Sequence, residues 1–218
     1  MSVATNDPNT RCRLVLVADP RTLPSGALDE ALAGGDVASV IFDGADIGAG
    51  ADRSDALGEP GELGELVAVA QGFGAAALVA GDARLAEESG ADGVHLPFGS
   101  TSLARSPDRV LGVSTQARHA ALEAGEAGVD YVLFGRLDRD THPEPHPKWL
   151  DLARWWSALV TVPCVVPGGT DLASVVAVAE AGADFVALRS AIFGADRPGE
   201  AVRRANALLD ERAPRFGG

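Results

Sequence analysis

Three short segments of this chain repeat one pattern: Gly90-Ala91-Asp92-Gly93-Val94, Gly128-Val129-Asp130-Tyr131-Val132 and Gly182-Ala183-Asp184-Phe185-Val186. Each reads as a helix-ending glycine, an Asp in the turn and the start of an apolar strand. One junction used repeatedly implies one repeated βα unit. Apolar runs predict eight strands, near Leu14–Ala18, Ala38–Phe42, Ala76–Val79, Gly93–Leu96, Val110–Val113, Tyr131–Phe134, Cys164–Val166 and Phe185–Leu188. Helical spacing between them covers, among others, Glu62–Gln71, Gln116–Ala127, Trp149–Leu159 and Gly199–Leu209. Eight strands alternating with helices in 218 residues predict an α/β fold, a single (β/α)8 TIM barrel over residues 11–218 behind a disordered tail, residues 1–10. A doubly wound open sheet is the alternative, but the first strand-to-helix turn lacks a glycine-rich fingerprint.

The stretch from Val162 to Gly194 is the most informative piece. A buried strand ends in Gly168-Gly169, Asp171 stands as an N-cap, and Leu172, Val175, Val176 and Ala179 follow at helical spacing. A second strand then runs into Arg189, Ser190 and Ala191. In a parallel sheet the two turns lie side by side at the carboxyl ends of the strands. Two readings of the glycine pair stand: a tight turn, or a backbone cradle for phosphate.

Composition narrows the partners. The net charge of −13 repels phosphate backbones and anionic lipid, which argues against nucleic acid and membrane surfaces. An anionic small molecule would need local donors working against that field. Cys12, placed in the N-terminal tail, and Cys164, in a buried strand, have no metal-type spacing. With a polar N-terminus lacking the apolar core of a signal peptide, they suggest the cytoplasm.

The residues also carry a family resemblance. Gly90 to Leu96, Leu111 to Ser114, Asp130 to Val132 with Gly135, Val162-Pro163 with Gly168-Gly169, and Val186-Ala187 with Ser190-Ala191-Ile192 resemble thiamine phosphate synthase and its TenI-like relatives. The match in order and spacing runs from about Leu14 to Gly194. The resemblance implies a barrel that joins a pyrimidine pyrophosphate to a thiazole phosphate with Mg²⁺, releasing pyrophosphate. It implies that Gly168, Gly169, Ser190 and Ala191 hold phosphate and that Ser114 touches pyrophosphate; Arg189 beside them either adds charge to that cup or pairs with a helix carboxylate.

The other half of the pattern departs. Where the family has Gln-x-Arg-x-Lys after strand two, this chain has Ile41, Asp43 and Ala45. A carboxylate among groups that should meet a polyanion is a change of sign. An expected metal-ligating Asp is Ser100, and an expected lysine is Pro143. Mg²⁺ would have to recruit Asp43, Asp46 or Asp82. Asp82 is a candidate catalytic carboxylate or a helix N-cap, and His95 is a site residue or a structural core histidine. Arg136 is a cation for the substrate loop or half of an exposed ion pair, and His142 and His146 are weak as metal ligands. No dedicated metal site is expected. Three functions follow: a divergent transferase on phosphorylated heterocycles, a non-catalytic binding or regulatory relative, or an isomerase with Asp82 or Asp19 as base. The expected partner is a phosphorylated small molecule, with a homodimer left open.

Overall fold

The computed structural model describes residues 11–44, 57–97, 108–137 and 141–215. The expected tail, residues 1–10, and the loop residues Ala45, Asp46, Ser100, Arg139 and Asp140 lie outside them. Strands β1 (Arg13–Ala18), β2 (Ser39–Phe42), β3 (Ala76–Ala80), β4 (Gly93–Pro97), β5 (Val110–Thr115), β6 (Tyr131–Phe134), β7 (Cys164–Pro167) and β8 (Phe185–Leu188) pair in parallel and close into one barrel. Around it lie helices α1 (Ala27–Leu32), α2 (Pro60–Gly72), α3 (Ala83–Glu88), α4 (Arg118–Glu126), α5 (Pro147–Ser157), α6 (Ser174–Glu180), α7 (Ser190–Phe193) and α8 (Pro198–Arg212). The closed (β/α)8 barrel matches the sequence expectation, and the open sheet is excluded by the β1–β8 pairing.

The repeated junction has a physical reason. Gly90, Gly128 and Gly182 sit at φ 73°, 79° and 83°, just past the helix ends, where L side chains are strained. The Asp two residues on clamps the preceding strand from both sides of its backbone. Asp92 donates its N–H to the Ala77 carbonyl and accepts the Ala77 N–H at 2.7 Å. Asp130 does the same to Leu111, and Asp184 to Cys164, each carboxylate contact at 2.8 Å. The clamps fall on β3–β4, β5–β6 and β7–β8. At β1–β2 a side-chain fork replaces them: Arg13 donates to both oxygens of Asp36, at 2.7 and 3.0 Å.

Alternation of side chains along the strands sorts the core. Val15, Val17, Ile41, Leu78, Leu133, Val165 and Ala187 fill the barrel interior. The partners of the outer layer, among them Leu14, Leu16, Val40, Phe42 and Phe134, pack under the helices. Trp156 of α5 lies edge-on to Phe134 and donates its indole N–H to the Val162 carbonyl at 2.6 Å.

Two sequence expectations need correction. Cys12 does not lie in a tail; it is 1% exposed in the core. Its neighbour Arg11 is buried too, held by Asp210 at 2.7 Å, Asn206 at 3.0 Å and the Cys12 carbonyl at 2.8 Å. That network ties the first described residues to α8, which composition could not show. Asp171 does not cap the seventh-unit helix. Its Oδ1 accepts the Ala173 N–H at 2.9 Å in a turn, and α6 begins only at Ser174.

Candidate functional site

Continuing the inward alternation to the carboxyl ends of the strands brings Asp19, Asp43, Ser114 and Arg189 to one mouth. Arg189 is its central feature. The guanidinium reaches from the end of β8 to Asp43 at 3.5 Å and Asp19 at 3.8 Å, and donates to the Leu137 carbonyl at 3.4 Å. It thus spans the ends of β1, β2 and β6 while only 17% exposed. The two carboxylates come from strand ends and not from a helix, which corrects one of the sequence readings. Asp43, the reversed charge in the resemblance, has a cation facing it here. Asp19 also accepts the Arg21 N–H at 3.1 Å.

Below the mouth a hydrogen-bond chain crosses three strands. His95 on β4 contacts Ser114 Oγ on β5 through Nε2 and Tyr131 Oη on β6 through Nδ1, each at 2.8 Å. His95 is 3% exposed and Tyr131 8%. Burial pushes the Tyr131 phenol far above its ordinary range, so it stays protonated. Gly112 makes the crossing possible: a Cβ there would overlap the Tyr131 ring. Sequence reasoning missed Tyr131. The signal was available, because it is the only tyrosine in the chain and stands at an inward strand position.

The glycine turn has its donors engaged. Gly168 N–H meets the Ala187 carbonyl at 2.8 Å, and Gly169 N–H meets Ser174 Oγ at 3.0 Å. Thr170 and Asp171 donate to the carbonyls of His142 and Pro143 at 2.8 and 3.3 Å. The segment after β6 therefore rests directly on the turn, so close that a Cβ on Gly169 would overlap the Pro143 carbonyl. Ser190 opens α7, with Ala191 and Ile192 buried behind it. Between this segment and the ends of β6 and β7 lies a cavity of about 730 Å³, walled in part by Arg136, His142, Glu144, Trp149 and Gly168.

Asp82 is placed as a cap: its Oδ1 accepts the Leu85 N–H at 2.9 Å at the start of α3. His146 Nδ1 accepts the Lys148 N–H at 3.2 Å at the start of α5. Among the described residues no three His, Cys, Asp or Glu side chains gather as a metal ion would need. The strand-end carboxylates Asp19 and Asp43 both face a guanidinium, so these described residues do not fit a Mg²⁺ site. Among the described residues no helix is long and apolar enough to cross a membrane.

A closed parallel eight-stranded barrel defines the class, a TIM barrel, and in that fold the βα loops at the carboxyl ends of the strands are where sites are built. The comparisons narrow it. The family model described as thiamine monophosphate synthase matches residues 14–192. A thiamine-phosphate synthase of Hyphomonas neptunium is 35% identical over 96% of this chain and 99% of its own length. One from Erythrobacter litoralis is 38% identical over 67% of this chain and 72% of its own. The solved thiamine phosphate pyrophosphorylase of Pyrococcus furiosus superposes with a TM-score of 0.73 at 22% identity, covering 94% of this chain and 98% of that one. The chain belongs to the thiamine monophosphate synthase and TenI family.

Proposed function

We propose that this protein is a divergent member serving thiamine biosynthesis, and that it binds a phosphorylated heterocycle of the thiazole phosphate type at the mouth of the barrel. The observation that carries this is the setting of Arg189. Its contacts with Leu137, Asp43 and Asp19 run from 3.4 to 3.8 Å, longer than the 2.7–2.9 Å of a tight charge-assisted bond. A guanidinium has five N–H donors, so a phosphate can exchange for these loose contacts. Asp43 and Asp19 hold it in place until then. Ser114 adds a hydroxyl on the opposite wall, and Arg136 a charge from the loop after β6. Gly168, Gly169, Ser190 and Ala191 supply the backbone of the cup. Lifting His142 and Pro143 from the turn would free the Thr170 and Asp171 N–H groups for the ligand, while the Gly168 and Gly169 N–H groups stay on Ala187 and Ser174.

A second reading, a binding protein without the transferase chemistry, is favoured by the two carboxylates beside Arg189. A departing pyrophosphate accumulates negative charge, and a ligand held by Arg189 would meet the carboxylates of Asp19 and Asp43 beside it. An isomerase using Asp82 or Asp19 has less support, since one caps a helix and the other accepts from Arg21 and faces Arg189. The test is a coupled assay with pyrimidine pyrophosphate, thiazole phosphate and Mg²⁺ beside calorimetric titration with thiazole phosphate. The reading predicts binding with turnover below about 0.1 s⁻¹, an order of magnitude under the usual lower end. Faster turnover refutes the loss of chemistry; absence of binding refutes the site.

A further inference from the structure

We infer that Tyr131 and His95 are positioning residues that fix the Ser114 hydroxyl as a hydrogen-bond donor aimed into the mouth. This rests on the reading that an anionic ligand binds there, but its geometry stands independently.

The direction of the chain follows from counting protons. Among the described residues Tyr131 Oη has one hydrogen-bond partner, Nδ1 of His95. The phenol is buried and neutral, so its proton needs an acceptor, and an unmet buried donor is costly. Nδ1 must therefore accept, which makes Nε2 the protonated ring nitrogen. Nε2–H then donates to Ser114 Oγ at 2.8 Å. That fills a lone pair of Ser114 and leaves its own hydrogen for another acceptor. Among the described residues Ser114 Oγ has no second side-chain partner. An anionic oxygen in the mouth is the acceptor this arrangement suits. The reverse polarity, Nδ1–H to Tyr131, would strand the phenol proton in the barrel interior and turn Ser114 into a donor to His95.

The ring planes support a fixed geometry. His95 and Tyr131 lie 5.6 Å apart between centroids and 19° from parallel, and Gly112 leaves the space they need. Tyr131 touches no ligand in this account. It acts on Ser114 through the imidazole.

The experiment is long-range ¹H–¹⁵N correlation on the full-length labelled protein, with His95 assigned by its loss in His95→Gln. The wild type should show an imidazole protonated at Nε2 alone. Tyr131→Phe should shift it towards a mixture of tautomers and weaken binding of inorganic pyrophosphate by about two- to tenfold. An Nδ1–H tautomer or an imidazolium in the wild type overturns the inference. So does an unchanged His95 pattern in Tyr131→Phe, since Tyr131 would then set nothing. If the wild type shows the Nε2–H pattern but binds no pyrophosphate, the anion contact at Ser114 fails, and the tautomer result still decides the positioning by Tyr131 and His95.

Discussion

Asp184 grips Cys164 twice, donating its backbone N–H to the Cys164 carbonyl and accepting the Cys164 N–H on its carboxylate at 2.8 Å. The clamp joins β7 to β8 at the amino ends of the strands, the end opposite the glycine turn. Its removal leaves a strand N–H without its acceptor, so Asp184→Ala should cost about 1.5–3 kcal/mol. Asp92→Ala and Asp130→Ala should cost similar amounts. Urea unfolding of the three variants checks this, and a change within experimental error would show that water replaces the carboxylate freely.

The same carboxylate gives a pH dependence. Burial raises the Asp184 pKa above its ordinary 3.8. A folded-state pKa above the unfolded one means that the native state binds more protons between the two. The Asp184 contribution is therefore fully present below about 3.8 and is lost as pH rises through the folded pKa. Asp184→Asn has no such titration. The wild type should thus lose stability relative to Asp184→Asn as pH rises from about 4, and a difference independent of pH would contradict the burial argument.

Both thiols should be inert in the native protein. Burial, with Asp184 adding to it, pushes Cys164 up to about 12; burial likewise raises Cys12. Thiolate is the reactive form. At pH 8 a disulfide reagent should label neither native cysteine within the time needed to label both after unfolding. Rapid native labelling would mean that β1 or β7 opens locally.

Much of the fold was legible because its signals are local. The helix-ending glycines and apolar runs are set by nearest neighbours, so the eight strands lie within two residues of expectation. The site was legible only in part. Asp43 could be read as a reversed charge, but the cation facing it comes from Arg189, at the far end of the chain. Tyr131 reaches His95 from two strands away only because Gly112, on the strand between them, leaves room. The occupied donors at Thr170 and Asp171 depend on a Pro-rich segment folding back on the turn. Such relations are set by barrel closure and carry no sequence period.

Any side chain at Gly169 should push the segment after β6 off the turn, because its Cβ would overlap the Pro143 backbone. Gly169→Ala should cost about 1–3 kcal/mol, as overpacking does, and should speed proteolysis near His142. Unaltered cleavage there would show that the segment moves aside without strain.

The account rests most heavily on Arg189 as the mouth's anion contact. Calorimetric titration of thiazole phosphate into the wild type and Arg189→Ala tests it directly. A charge-assisted bond of about 1.5–3 kcal/mol corresponds to a loss of about ten- to a hundredfold in affinity. The account predicts measurable binding in the wild type and a fall of that size in the variant. Equal affinities in the two proteins would contradict it.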